Sequence, residues 1–168
     1  MRGPLLVGTP PEQAVAEANI RLVEDTGYDR FVVFLFASHN AETRELSTVA
    51  AGHPYFLLRA GEEKFEEFKA RSIPLGIDSE ATFPVLTSSD VEPDSILLIA
   101  SDGAWESRNG DNEEFGFDRL FDLVIANRDR EPEAIIERFF EVIDEWNAGE
   151  KLNDDCTIVI AKIRDSGS

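Results

Sequence analysis

The segment Ile96–Gly103, with the sequence ILLIASDG, is a short apolar run that ends in an acidic turn. A run of this length, rich in branched residues and followed by a turn signal, predicts a buried β-strand. The strand would end at Asp102, and Gly103 would permit a sharp turn and a close approach of the backbone to a ligand. Mg²⁺ and Mn²⁺ prefer carboxylate and water oxygens, so Asp102 is a candidate metal ligand.

A second acidic turn precedes the last apolar run of the chain. Asp154 and Asp155 stand directly before CTIVIAKI, which begins at Cys156 and predicts another strand. If the two strands are neighbours, Asp102 and Asp154 converge at one edge of a sheet. Taken separately, Asp-Gly and Asn-Asp-Asp are ordinary turn sequences, so their spacing leaves a purely structural role open.

The rest of the chain alternates strand and helix patterns. A strand buried on both faces is predicted from Phe31. Two more strands, Glu45–Ala51 and Tyr55–Arg59, are predicted to form an antiparallel meander with it, and a short strand is predicted at Ala81–Leu86. The predicted helices are Pro11–Asp25, Phe117–Asn127 and Glu131–Asn147. Gly61–Arg71 fits either a helix or a hairpin. Strands first, later helices and a closing strand predict an α+β sandwich.

Length and composition restrict the class of protein. The chain has 168 residues, which suits a single domain, and its last residues, 165–168, are predicted to be disordered. The formal net charge of −18 argues against nucleic acid or an anionic membrane as a partner. No apolar run approaches the roughly 20 residues of a membrane helix, and the N-terminus does not suit a signal peptide. These features predict a cytoplasmic protein.

Three other residues that could carry chemistry are given structural roles. Cys156 is the only cysteine, which excludes an internal disulfide and a cysteine-based zinc cluster. A cysteine-based phosphatase needs an arginine six residues after the cysteine, but that position is Lys162, so Cys156 is expected to be buried in a strand. His53 is expected in a hairpin turn, and His39 in solvent.

Four segments, in order, resemble the PPM family of metal-dependent protein serine/threonine phosphatases. The most specific is LLIASDGAWESRNGDNEEFGFDRL, residues 97–120, which is similar to the branch that includes the sporulation stage II protein E phosphatase and sigma-factor regulatory phosphatases. Similar segments are NDDCTIVIAKI at the end of the chain, the AGHPYFLL region with its preceding strand, and the PLGI element after Ser72. The helix with Asn19 and Leu22 also matches.

The resemblance implies a fold, a metal site and a reaction. The fold would be the PPM αββα sandwich of antiparallel sheets flanked by helices. Asp102 and Asp154 would ligate Mn²⁺ or Mg²⁺, while Gly103 and Asp155 would support the ligands without binding metal. The complete family domain would use two ions to activate water for attack on phosphoserine or phosphothreonine, without a covalent phosphoenzyme.

Two family motifs, G-D-x-[YF]-D and D-x-S-G-H-G, do not occur in this sequence. Both help to hold the metal pair, so the N-terminal part of the domain is expected to be missing, and metal binding by this chain is expected to be weak or absent. Three hypotheses follow. The chain is a protein phosphatase acting on a phosphorylated regulatory protein, such as an anti-sigma antagonist, or a catalytically incomplete adaptor that binds protein, or a truncated fragment.

The expected loss of neighbouring strands also has a consequence for assembly. It would leave the strands from Phe31 and Ile96 with an exposed edge and apolar face, which favours a homodimer.

Overall fold

The computed structural model describes residues 9–27, 29–148 and 154–165, which contain three α-helices and seven β-strands. In chain order these are α1 (Pro11–Thr26), β1 (Phe34–Asn40), β2 (Glu45–Ala51), β3 (Tyr55–Leu58), β4 (Phe65–Phe68), β5 (Leu86–Ser88), β6 (Ile96–Ala100), α2 (Gly116–Ala126), α3 (Pro132–Trp146) and β7 (Ile158–Lys162). A short 3-10 helix, Asp102–Ala104, follows β6. None of the described helices is long and apolar enough to cross a membrane.

The described residues fall into two compact units. The first contains the chain up to Pro54 together with Phe68–Val91. Its sheet has the order β1-β2-β5, with antiparallel pairing that runs from Phe34 opposite Ala51 to Asn40 opposite Glu45. Asn40 makes the connecting turn, because its side-chain oxygen accepts hydrogen bonds from the next backbone amides. The core of this unit consists of Val15, Val49, Ala51, Leu75 and Phe83.

A buried polar contact joins α1 to the PLGI element within the first unit. Asn19 is fully buried; its amide nitrogen donates to the carbonyl of Asp78 (2.8 Å), and its oxygen accepts from the amide of Gly76 (2.8 Å). Gly76 has a φ of 92°, and a Cβ there would lie 2.6 Å from the carbonyl oxygen of Arg30. Only glycine fits this crowded position without strain.

The second unit contains Tyr55–Glu67 and the chain from Glu92 onward. Its sheet has the order β4-β3-β6-β7, and β6 is antiparallel to both β3 and β7. The helices α2 and α3 supply its other layer. Ile135, Phe139 and Ile143 recur at helical spacing on α3 and are fully buried, as expected of a helix that turns one apolar face to the core.

The structure confirms the α+β class with antiparallel sheets and three helices within a residue or two of their predicted bounds. It also shows a hairpin at Gly61–Arg71, since β4 lies beside β3. The predicted disorder of the tail 165–168 concerns residues of which only Asp165 is described. The single domain of 1–168 stays a prediction.

Three sequence predictions are wrong. The meander fails because β3 does not pair with β2; the residues Gly52–Pro54 lead from one sheet to the other. The run from Phe31 is not buried on both faces, because Phe31 is 64% exposed and no residue of β1 is fully buried. The strand from Ile96 has no free edge, since β6 lies between β3 and β7.

Three strand positions also shift along the sequence. The strand predicted from Phe31 begins at Phe34. The strand predicted at Ala81–Leu86 instead occupies Leu86–Ser88, where the backbone pairs with β2. The final strand begins at Ile158, two residues after Cys156.

Candidate functional site

The strands that carry the two acidic turns are direct neighbours. The pairing of β6 with β7 runs up to Ala100 opposite Ile158, so the C-terminal end of β6 and the N-terminal end of β7 meet at one edge of the sheet. Asp102 lies two residues beyond this pair, and Asp154 lies four residues before Ile158. The expected convergence of the two segments at one sheet edge is therefore present.

Ser101 fastens the two segments together immediately before Asp102. Its backbone amide donates to the carbonyl of Thr157 (2.9 Å), and its hydroxyl accepts from the amide of Thr157 (2.8 Å). The same hydroxyl donates to the carbonyl of Asp155 (3.1 Å). One serine side chain thus continues the ladder where regular strand pairing ends, and it fixes the backbone on both sides of Cys156.

Gly103 lets the segments approach more closely than a side chain would permit. A Cβ on Gly103 would lie 2.6 Å from the carbonyl oxygen of Asp155 and 3.0 Å from its carbonyl carbon. Both atoms belong to the backbone, so neither can rotate away. The need for glycine after Asp102 therefore comes from contact with the segment that follows Asp154, as well as from the turn itself.

The two carboxylates lie on the exposed side of this junction. Asp102 Oδ1 accepts a hydrogen bond from the amide of Gly103 (3.0 Å), and Asp154 Oδ1 accepts one from the amide of Asp155 (2.7 Å). Both residues are exposed. An ionised carboxylate has about four lone-pair positions, so one backbone hydrogen bond orients each group and leaves it able to bind a cation.

The donor chemistry suits a hard divalent ion, whereas the number of donors is small. Asp102 and Asp154 offer only oxygen, and Mg²⁺ is commonly held by one or two carboxylates with water in its other positions. In the described ranges, however, no group of three or more histidine, cysteine or acidic residues could hold a metal. These residues fit a hydrated ion, and their assignment as ligands stays a prediction, as do the supporting roles of Gly103 and Asp155.

The loop after Asp102 contains contacts that the sequence did not indicate. Asn109 organises its turn, because its side-chain oxygen accepts from the amides of Asp111 and Glu113. Arg108 pairs with Glu114 across the loop. The segment 97–120, which resembles the phosphatase family, therefore includes residues that shape this loop.

Ser107 and Asn147 were missed altogether as functional candidates, and Ser101 was noted only as part of a motif. Their hydrogen bonds join residues about 40 or more positions apart. A sequence pattern of local spacing carries no signal for such pairs.

Cys156 is half-buried and lies before β7, so the prediction of a buried residue within a strand is wrong. Burial raises the pKa of the Cys156 thiol to about 11, which disfavours the thiolate that a nucleophile needs. His53 contacts the carbonyl of Pro54 through Nδ1, in the link between the two sheets and not in a hairpin turn. His39 is half-buried, and its Nε2 lies 3.2 Å from the carbonyl of Val91, so the prediction of a solvated residue is wrong.

The solved structures that share this fold include phosphatase domains of bacterial proteins. The phosphatase domain of the cell fate determinant SpoIIE from Bacillus subtilis, presoaked with Mn, is 17% identical with a TM-score of 0.62, over 98% of this chain and 71% of that chain. The SiaA-PP2C domain of Pseudomonas aeruginosa is 18% identical with a TM-score of 0.66, over 89% of this chain and 68% of that chain.

A third structure covers the RsbU and RsbW domains of Rv1364c from Mycobacterium tuberculosis. It is 21% identical with a TM-score of 0.69, over 94% of this chain and 43% of that chain. At these identities the structures establish the fold alone. Among curated proteins, none matches the chain.

Family membership comes from the sequence itself. The family model described as stage II sporulation protein E (SpoIIE) matches residues 1–164. Its span includes both acidic turns, the strands that carry them and the loop after Asp102. With nearly the whole chain matched and the PP2C phosphatase fold present, this protein belongs to the stage II sporulation protein E family.

Proposed function

We propose that this chain takes part in the metal-dependent hydrolysis of phosphoserine or phosphothreonine in a regulatory protein, with Asp102 and Asp154 as metal ligands. The observation that carries the proposal is the junction at Ser101, which joins the two acidic segments at one sheet edge. Asp102 and Asp154 are both exposed and lie outside the buried cluster of the second unit. A shared cation would give the meeting of these two acidic segments at one sheet edge a chemical reason.

Bound Mn²⁺ or Mg²⁺ would lower the pKa of a water molecule and offset negative charge on the phosphoryl oxygens. The chain itself would contribute the position and orientation of the two carboxylates. The hydrogen bonds from the Gly103 and Asp155 amides orient the carboxylates of Asp102 and Asp154. Because these contacts come from backbone at strand ends, the ligands need little reorganisation when a cation or a substrate binds.

Charge also supports a cation at this place. The net charge of −18 would repel a phosphorylated substrate at long range, and a divalent ion at the sheet edge would reverse the sign locally. An anti-sigma antagonist is one regulatory protein that fits this proposal, through the sigma-factor branch that the sequence resembles. The acidic surface gives no support to nucleic acid as a partner.

A second candidate function is that of a phosphatase-like adaptor that binds a protein without hydrolysing phosphate. The observation that favours it is the small donor set, since the described residues contain no acidic, histidine or cysteine group of three that could hold a metal. Such an adaptor would keep the sheets and helices and would recognise its partner in the absence of a divalent ion.

Hydrolysis of p-nitrophenyl phosphate by the purified chain in millimolar Mn²⁺ distinguishes the two functions. If Asp102 and Asp154 are ligands, Asp102→Asn and Asp154→Asn should each lower the Mn²⁺-dependent rate at least about 100-fold. Asp144→Asn, which removes one exposed carboxylate from α3, is the matched control and should leave the rate within about twofold.

If the wild type is active, equal rates for all three variants would contradict the ligand assignment. A wild-type chain without hydrolysis in Mn²⁺ or Mg²⁺ that still binds a phosphorylated regulatory protein in EDTA would favour the adaptor. Mn²⁺ titration by calorimetry provides the accompanying affinity, which we expect to be weaker than micromolar because two carboxylates make a small donor set.

A further inference from the structure

A buried polar contact lies at the C-terminal end of α3. The hydroxyl of Ser107 donates to the side-chain oxygen of Asn147 (2.9 Å), and these residues are only 6% and 5% exposed. The indole nitrogen of Trp146 donates to the carbonyl of Ser107 (3.2 Å). Two consecutive residues of the α3 terminus therefore hold one residue of the loop after Asp102. We call Ser107, Trp146 and Asn147 the α3 clamp.

Trp146 is itself held firmly, so the α3 clamp has a rigid support. The guanidinium of Arg119 lies over its ring, 4.3 Å from the ring centroid, and also donates to the carbonyl of Phe115 (2.9 Å). Phe115 packs edge-on against Trp146, with ring centroids 5.7 Å apart. The amide of Phe115 donates to the carbonyl of Ser107 (2.8 Å), so both ends of the loop meet at this tryptophan.

The α3 clamp and the Ser101 junction lie on either side of the two acidic residues. Asp102 stands between Ser101 and Ser107, and Asp154 stands between Asn147 and Thr157. One contact pair joins Ser101 to Thr157, and the other joins Ser107 to Asn147. The segment from Ser101 to Ser107, which contains Asp102, is thus held at both ends, at Ser101 by Thr157 and at Ser107 by Asn147. Fixing both ends of a segment reduces the conformations open to it.

We propose that Ser107, Trp146 and Asn147 are positioning residues, which set the place of Asp102 relative to Asp154. This inference rests on the proposed metal-dependent function. A buried serine–asparagine pair adds little net stability compared with apolar packing, but it fixes one geometry because each partner is unsatisfied in any other. The α3 clamp acts through the backbone of the acidic segments and touches neither substrate nor metal.

Hydrogen exchange of the metal-free chain, followed by NMR, tests the α3 clamp without reference to activity. Three backbone amides report on the junction. The amide of Ser101 donates to the carbonyl of Thr157, and the amide of Ala104 donates to the carbonyl of Ser101. The amide of Thr157 donates to the hydroxyl of Ser101. Ser107→Ala removes the hydroxyl that bonds Asn147 and should speed their exchange about tenfold by local opening. The matched control is Ile143→Val, a conservative change at a buried position of α3. Rates are compared after correction for the global stability of each variant.

Two further variants keep the test decisive. Trp146→Phe keeps an aromatic ring but loses the hydrogen bond to Ser107, and it should speed exchange about threefold even if Ser107→Ala folds poorly. Ser107→Thr retains a hydroxyl and should restore rates to within about twofold of wild type. Exchange in Ser107→Ala and Trp146→Phe that matches Ile143→Val would overturn the proposal.

Broadening of the Gly103 and Asp155 amide signals by Mn²⁺ separates this inference from the proposed function. A positioning role predicts that Ser107→Ala needs about fivefold more Mn²⁺ than wild type or Ile143→Val for equal broadening. Broadening curves that coincide for Ser107→Ala and Ile143→Val would overturn the positioning role. No broadening of these signals in the wild type would contradict the metal site itself, while the exchange rates would still decide whether the α3 clamp holds the acidic segments.

Discussion

The α-carbon of Gly103 faces the backbone of Asp155 so closely that a Cβ would lie 2.6 Å from its carbonyl oxygen. Gly103→Ala should therefore destabilise the second unit by about 1–3 kcal/mol, because the clash is with backbone that side-chain rotation cannot relieve. Urea unfolding followed by circular dichroism measures this loss. Gly110→Ala is the control, since a Cβ there meets nothing within 4 Å, and equal midpoints for the two variants would contradict the contact.

Asn19 provides a comparable test in the first unit. Asn19→Ala should lower the free energy of unfolding by about 2–3 kcal/mol, because it leaves the amide of Gly76 and the carbonyl of Asp78 without their partner. Ile20→Ala, one residue along the same helix and 42% exposed in the wild type, should change it by less than about 0.5 kcal/mol. Urea midpoints for the two variants measure the difference. If Asn19→Ala loses no more stability than Ile20→Ala, the buried contact of Asn19 is dispensable.

Cys156 predicts a dependence of stability on alkaline pH. Burial raises the pKa of its thiol to about 11, so between its ordinary pKa and this value the folded chain retains a proton that the unfolded chain releases. The neutral thiol therefore contributes its full share of the unfolding free energy below its ordinary pKa. This contribution is lost as the pH rises from that value through the pKa of the folded chain. The difference in unfolding free energy between wild type and Cys156→Ala should fall from about pH 8 to about pH 11. A constant difference would contradict burial of the thiol.

The outer strand β1 predicts self-association. Phe31, Val32 and Val33 precede it and are 64%, 44% and 42% exposed. We expect a dimer that becomes more abundant with concentration and with salt, since salt screens the repulsion between two acidic chains. Light scattering coupled to size-exclusion chromatography measures the mass. Val33→Lys should weaken the dimer, whereas Ile20→Lys, at a position of equal exposure on α1, should not; a monomer under every condition would contradict this surface.

Elements with local signals could be predicted from sequence. The helices α2 and α3 have a clear apolar period, and the apolar run at Ile96 marks β6, so their types and approximate bounds are correct. The residues Gly52–Pro54 show why topology was harder. Glycine and proline break a strand equally well in a hairpin and in a change of sheet, and the choice between them depends on which distant strand offers the better pairing.

In the candidate site, too, residues with local sequence signals could be predicted, and residues that depend on long-range contacts could not. Asp102 and Asp154 could be found because each stands beside an apolar strand and within a family motif. Ser107 and Asn147 could not, because serine and asparagine are ordinary surface residues and only the folded chain buries them together. The position of β6 inside its sheet has no local signal either, since the sequence predicts that β3 pairs with β2, whereas the structure pairs β3 with β6.

The pairing of β6 with β7 also has a consequence for synthesis on the ribosome. Both α2 and α3 are made after β6 and before β7. The strand β6 therefore cannot pair with β7, its second neighbour, until both helices have been synthesised. Such non-local pairing is slow compared with the formation of the helices between the strands. The acidic edge therefore cannot assemble on a nascent chain until Lys162 has left the exit tunnel, and a polypeptide stalled earlier would present β6 as an open template for aggregation.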